Sequence, residues 1–226
     1  MSNVAIILGA GNATRMKTDK SKMLLEIMGS TVIERSVNAF LEISDIDEVI
    51  VTVRENDIDA FSNILTDERV TFVIGGKTRQ ESVKCAVDSI DDAELIIIHD
   101  GARPFIKTDD IERTIRAAKE YNAAAIGVPV KDTIKIIDDD KMVVKTPERS
   151  KLFAVQTPQI FDFNMYKHAL EKAEKEGRDF TDDCQLIEYA GGKVKIVEGD
   201  YSNIKITTPD DIAVAENILL HQIRRG

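Results

Sequence analysis

Gly9 and Gly11, then Arg15, Lys17, Lys20 and Lys22, bring small residues and four cations together in a chain of formal net charge -10. Glycine N–H groups can approach phosphate oxygens closely, and cations neutralise them, so this stretch reads as a long basic loop for a nucleotide triphosphate. A second cluster, His99-Asp100-Gly101-Ala102-Arg103-Pro104, closes an apolar run. There Asp100 can hold Mg²⁺ against phosphate oxygens, or simply cap a turn beside Gly101. Arg103 can pair with Asp100 or reach an anion, and His99 reads as a packing residue rather than a catalyst. Gly75 and Gly76, with Lys77, Thr78, Arg79 and Ser82 after them, form a small, polar turn of the kind that contacts a nucleobase through backbone groups. Lys205 lies between Ile204 and Ile206 in an apolar run expected to be a strand, where a lysine more often faces solvent on an edge than a ligand.

Other phosphate chemistries fit less well. A dinucleotide fingerprint needs a third glycine where Thr14 stands, and the polar stretch up to Ser30 is too long for a turn that opens directly into a helix. Gly76-Lys77-Thr78 mimics the end of a P-loop, but that motif's first glycine would fall at Thr71. There is no zinc-ligand spacing, hydrolytic triad or nucleophile motif, and the histidines are scattered.

The elements that must carry these clusters follow from hydrophobic periodicity. Apolar runs at Val4–Leu8, Glu48–Val53, Val70–Ile74, Leu95–His99 and Ala123–Val130 alternate with helical patterns. This alternation predicts an α/β fold: a single Rossmann-like three-layer domain over residues 1–226 with a mostly parallel central sheet. In such sheets ligands bind beyond the carboxyl ends of the strands, which puts the glycine loop and Asp100 on one rim. The pattern breaks over residues 131–152. There Ile134–Ile137 and Met142–Lys145 read as two strands around a polar Asp138–Lys141 turn, a projecting β-hairpin arm. Its exposed apolar residues need cover, from a partner subunit or from the same chain. The chain then returns through Ala154–Phe161, helices near 164–176 and 181–190, strands at 194–197 and 204–207, and a last helix with Pro209 in its first turn.

Acidity argues against nucleic-acid binding, which favours a basic stripe. No apolar run reaches the ~20 residues of a membrane span, and no secretory leader pattern opens the chain. Cys85 and Cys184 lack any pairing motif, so a cytoplasmic protein with reduced thiols is expected.

Taken together and in order, these clusters resemble the 2-C-methyl-D-erythritol 4-phosphate cytidylyltransferase family of isoprenoid biosynthesis, over about Val4 to Leu219. The supporting pieces are the glycine loop with Arg15-Met16, Lys22, Gly75-Gly76 with Arg79 and Ser82, and the segment His99 to Pro104. They continue through Asp132-Thr133, Gln156-Thr157-Pro158-Gln159, Thr181-Asp182-Asp183 and Asn203 to Thr207. The resemblance implies a Mg²⁺-dependent transfer of CMP from CTP to 2-C-methyl-D-erythritol 4-phosphate, with Arg15 and Lys22 catalytic. It implies that Gly9, Ala10, Gly11, Gly76 and Ser82 bind the nucleotide and that Asp100 holds the metal. Arg103, Thr133, Arg149, Thr157 and Lys205 would serve the sugar-phosphate side. It further implies a homodimer in which the arm carries Thr133 and Arg149 to the partner's site. Ribitol 5-phosphate cytidylyltransferases share several elements, but Arg149 and the Thr181-Asp182-Asp183 run match the erythritol family better. Ala13 stands where that family usually has another glycine, and Lys22-Met23-Leu24-Leu25 where it usually reads Lys-Gln-aromatic-Leu.

Overall fold

The computed structural model describes residues 2–11 and 21–224. The strands are β1 (Asn3–Leu8), β2 (Glu26–Ile27), β3 (Ser30–Thr31), β4 (Glu48–Val53), β5 (Val70–Ile74), β6 (Leu95–Asp100), β7 (Ala123–Pro129), β8 (Ile136–Ile137), β9 (Val143–Lys145), β10 (Phe153–Asp162) and β11 (Lys195–Glu198). The helices are α1 (Val32–Leu41), α2 (Ile58–Ile64), α3 (Arg79–Asp88), α4 (Thr108–Tyr121), α5 (Phe163–Lys175), α6 (Asp183–Tyr189) and α7 (Asp210–Ile223).

Seven strands form one sheet in the order β11-β7-β10-β6-β1-β4-β5. Every pairing is parallel except those of β10, which runs antiparallel to both β6 and β7. β1 shows why its residues are apolar without alternation: both of its faces are covered. Ala5 and Ile7 join a core with Val37 and Phe40 of α1, Ile111 and Ile115 of α4, and Ala215 of α7. Val4, Ile6 and Leu8 pack on the other face with Val83 and Val87 of α3, Phe163 and Tyr166 of α5, and Ile187 of α6. Helices on both faces of a central sheet make the expected three layers.

Local sequence explains where the helices begin. Thr31 caps α1 in a capping box with Glu34, and Thr78 accepts the Glu81 N–H at the start of α3. Asn122 ends α4 in the left-handed region (φ 64°), a conformation that Asn tolerates better than most residues.

The expected strand over 204–207 does not form. Those residues are an irregular segment tied to the rim, with Ile206 N–H donating to the Ala102 carbonyl at 2.8 Å. Strands β8 and β9 pair with each other in a sheet of their own, separate from the central one.

Candidate active site

The parallel register sets Leu8 of β1 beside Asp100 of β6, so the two strands end at one level and their loops leave together. Gly9 follows directly, its N–H bonded to the Thr52 carbonyl at 2.9 Å. A Cβ on Gly9 would lie 2.7 Å from that carbonyl oxygen and 3.0 Å from the Phe61 ring, so only glycine lets the chain turn here against β4. Gly75 is required for a different reason. A Cβ there would come within 2.5 Å of the Ala10 side chain, the point where the two glycine loops meet.

Between those loops lies a cleft of ≈ 500 Å³, whose lining includes Ala10, Gly11, Lys22, Gly76, Ser82, Asp100 and Lys205. Ser82 is buried and donates its hydroxyl to the Thr78 carbonyl at 2.9 Å, fixing the turn that presents Gly76. Lys22 reaches the Ile206 carbonyl at 3.0 Å, which ties the first loop to the segment carrying Lys205. Met23, one of the departures from the family pattern, is buried in the core and also lines the cleft. Arg15 and Ala13 lie outside the described residues.

Asp100 is the electrostatic centre of the cleft. Lys205 Nζ stands 2.8 Å from Oδ2, Arg103 Nε 3.5 Å from the same oxygen, and Arg79 Nε 3.5 Å from Oδ1. Burial alone would push the Asp100 carboxyl up. Lys205, Arg79 and Arg103 outweigh it and hold the group well below the usual carboxylate range, so it is ionised at any working pH. Arg103 also donates to the Asn203 carbonyl at 2.8 Å, and burial draws its guanidinium downward. Lys205 therefore faces the ligand rim rather than an outer edge, because its segment is a looped tether and not a strand.

Beneath Asp100, the Thr157 hydroxyl accepts the Asp100 N–H at 3.0 Å and lies 3.1 Å from His99 Nδ1. The His99 Nε2 is 3.1 Å from the Arg103 carbonyl, which requires a proton on Nε2 and leaves Nδ1 to accept from Thr157. Burial drives His99 down to about 4, so the ring is neutral and fully engaged. His99 is thus the packing residue expected, and Thr157 acts through the backbone that holds Asp100.

The sequence reading missed Arg79 and Asp183 as parts of this centre. Arg79 Nη2 lies 2.6 Å from Asp183 Oδ2, and Arg79 lines the cleft. Burial would lower its pKa, but Asp183 and then Asp100 raise it above the ordinary arginine range. A signal was available: Arg79 is the first residue of α3, where a cation opposes the helix dipole and calls for an anion from elsewhere. Thr133 and Arg149, in contrast, are exposed on the 131–152 segment and do not line the cleft; Arg149 donates to the Lys131 carbonyl at 3.0 Å.

Asp100 is the carboxylate of the cleft floor that could take a divalent cation. Among the described residues no group of three or more His, Cys, Asp or Glu is arranged to hold a metal. Mg²⁺ takes one or two carboxylates and completes its shell with water and substrate phosphates, so its needs at the protein are small. The ionised Asp100 carboxylate, in a cleft of ≈ 500 Å³ with room for a nucleotide's phosphates, is a donor of that kind.

A family model described as 2-C-methyl-D-erythritol 4-phosphate cytidylyltransferase matches residues 3–221. A protein of that name from Caldanaerobacter subterraneus subsp. tengcongensis is 45% identical over 225 residues, covering 97% of this chain and 99% of that protein. Another from Clostridium novyi is 41% identical over 222 residues, 96% of each. Among solved structures, the 4-diphosphocytidyl-2C-methyl-D-erythritol synthase of Anaerococcus prevotii superposes with a TM-score of 0.89 at 37% identity, covering 97% of this chain and 96% of that one. The 2-C-methyl-D-erythritol 4-phosphate cytidylyltransferase of Thermus thermophilus gives 0.80 at 30% identity, covering 96% and 98%.

Proposed function

Since the chain belongs to the 2-C-methyl-D-erythritol 4-phosphate cytidylyltransferase family, we propose that its cleft transfers CMP from CTP to 2-C-methyl-D-erythritol 4-phosphate. The products are 4-diphosphocytidyl-2-C-methyl-D-erythritol and pyrophosphate. The observation that carries this reading is the meeting of two glycine loops, Lys22 and Lys205 around an ionised Asp100.

The acceptor's phosphate oxygen attacks the α-phosphorus of CTP. A new P–O bond forms as the bond from the α-phosphorus to the oxygen bridging it to the β-phosphorus breaks, and that electron pair leaves with pyrophosphate. A phosphate monoester has its second pKa near ~6, so the nucleophile is already ionised at neutral pH and needs no general base. This agrees with a His99 that is buried, neutral and engaged on both nitrogens. What the reaction demands is positive charge around the phosphates. Lys22 supplies it from the cleft wall, and by family resemblance Arg15 does so as well. Lys205 and Arg103, already beside Asp100, suit the incoming acceptor phosphate, and Thr157 keeps the Asp100 backbone in place. Gly9, Ala10 and Gly11 cradle the triphosphate, while Gly76 and Ser82 border the cytosine and ribose. Asp100 would hold Mg²⁺ together with nucleotide phosphates, where the ion would supply further positive charge.

The protein works as a cytoplasmic homodimer in this reading, with Thr133 and Arg149 contributed to the partner's cleft. Support comes from the apolar side chains of the hairpin: Ile136, Ile137, Val143 and Val144 are each about half exposed or more. Both cysteines are free thiols, which suits a reducing compartment.

A coupled pyrophosphate-release assay with CTP and each polyol phosphate tests the assignment. Release with methylerythritol 4-phosphate, and little with ribitol 5-phosphate or CTP alone, is the expected result. Preference for ribitol 5-phosphate, or no release at all, would overturn it.

A further inference from the structure

Behind the cleft, four side chains from four elements form one continuous chain: Tyr166 of α5, Asp183 of α6, Arg79 of α3 and Asp100 of β6. Tyr166 donates its hydroxyl to Asp183 Oδ1 at 2.6 Å, and Arg79 Nη2 meets Asp183 Oδ2 at 2.6 Å. The same guanidinium makes only a longer ion pair with Asp100, Nε lying 3.5 Å from Oδ1. Arg79 is therefore bound tightly to one carboxylate and loosely to another.

The asymmetry has a structural cause. The Asp183 side chain is 4% exposed, so it cannot be left without a counter-charge. Removing the partner of a buried charge is strongly destabilising, which makes Asp183 the stronger claimant on Arg79. Tyr166 is itself fully buried and fixes the far oxygen of Asp183, so the pair has little room to shift toward the cleft. On the cleft side, Asp100 Oδ2 already has Lys205 at 2.8 Å and Arg103 at 3.5 Å. Oδ1 is the oxygen that Arg79 would close if it moved in.

We propose that Asp183, fixed by Tyr166, is a positioning residue that holds Arg79 back from Asp100 and so keeps Asp100 Oδ1 open to a divalent cation. This rests on the reading above that Asp100 takes such a cation with nucleotide phosphates. The geometry makes an unusual sign prediction. Loss of the Asp183 charge frees Arg79 to tighten its long ion pair with Asp100 and weakens cation binding; loss of both charges removes the competitor and restores it. A purely structural role predicts that the double variant is at least as impaired as the single one.

The test uses the full chain with CTP and Mn²⁺, read by water-proton relaxation enhancement, which reports Mn²⁺ held on protein rather than on free nucleotide. Asp183→Asn retains an acceptor for Tyr166 and is expected to weaken Mn²⁺ binding about tenfold. The double variant Arg79→Met with Asp183→Asn is expected to bind at least as tightly as wild type. Unchanged binding in Asp183→Asn, or equal weakening in the double variant, overturns the proposal. An Asp100→Asn variant that binds Mn²⁺ like wild type would instead overturn the cation site itself, and this inference with it.

Discussion

The cleft floor and the 131–152 hairpin solve opposite problems. At the cleft floor, charge is concentrated and the charged groups are paired from within the chain: Asp100 has three cations around it, Thr157 and His99 beneath it, and Asp183 behind Arg79. On the hairpin the polar groups are also satisfied locally, with Lys135 bonded to Thr146 at 2.8 Å and Lys151 to Glu148 at 2.8 Å. Its apolar side chains are not. Met142 is 66% exposed and Val144 65%. The cleft is prepared for a small charged ligand, whereas the hairpin is prepared for a surface. One chain therefore carries a preorganised site and a separate element with an exposed hydrophobic face, the face on which the proposed homodimer rests.

The sharpest way to break the cleft side of this contrast is Lys22→Ala. Loss of one preorganised cation should cost on the order of 10²–10³ in turnover with the fold unchanged. Near-normal steady-state pyrophosphate release would remove Lys22 from the chemistry.

The next effect concerns stability. Between pH 6.5, the ordinary histidine value, and about 4, where burial holds His99, the unfolded chain takes up a proton that the folded chain refuses. The stabilisation is fully present above pH 6.5 and is lost as the pH falls toward 4, by about 3 kcal/mol from this group. Urea denaturation across that range should show the slope, and His99→Gln should flatten it.

Thr157→Val removes one hydroxyl and strands both the Asp100 N–H and His99 Nδ1, at a cost of about 1–3 kcal/mol. Thermal unfolding measures that loss. A neutral outcome would mean that the floor of the cleft is less tightly connected than its geometry indicates.

The smallest effect on the chain itself is expected at the hairpin. Val144→Asp should change its folding stability by no more than about 0.5 kcal/mol, because the side chain is already in water. Sedimentation should nonetheless show dimers converted to monomers. A dimer that survives the substitution would place the contact elsewhere.

The parts of this design that could be read in the sequence were those with a local cause. β1, β4 and β6 announce themselves through unbroken apolar runs because both faces of the sheet are covered, and Gly9 stands out because a strand end beside β4 leaves no room for a Cβ. Asp100 was legible because the rim rule places ligands past such strands. Lys205 was read two ways: its apolar neighbours suggested an edge strand, whereas the family resemblance set it on the sugar-phosphate side; Ile206 is buried as the anchor of a loop, and that turns Lys205 toward Asp100. The Arg79–Asp183 pair joins residues 104 positions apart (183 − 79) through tertiary packing alone, and only the cation at a helix N-terminus hinted at it. Thr133 and Arg149 came from family resemblance, and nothing local to their segment of the chain marks them for catalysis.

The most direct test of the whole arrangement mixes two inactive chains. Lys22→Ala lacks a cleft cation, and Arg149→Ala lacks the residue proposed to reach the partner's cleft. Subunit exchange should assemble some dimers with one intact site, so an equimolar mixture releases pyrophosphate from CTP and methylerythritol 4-phosphate at about a quarter of the wild-type rate. A mixture no more active than its separate components, in sedimentation-verified mixed dimers, would contradict a cleft completed by its partner.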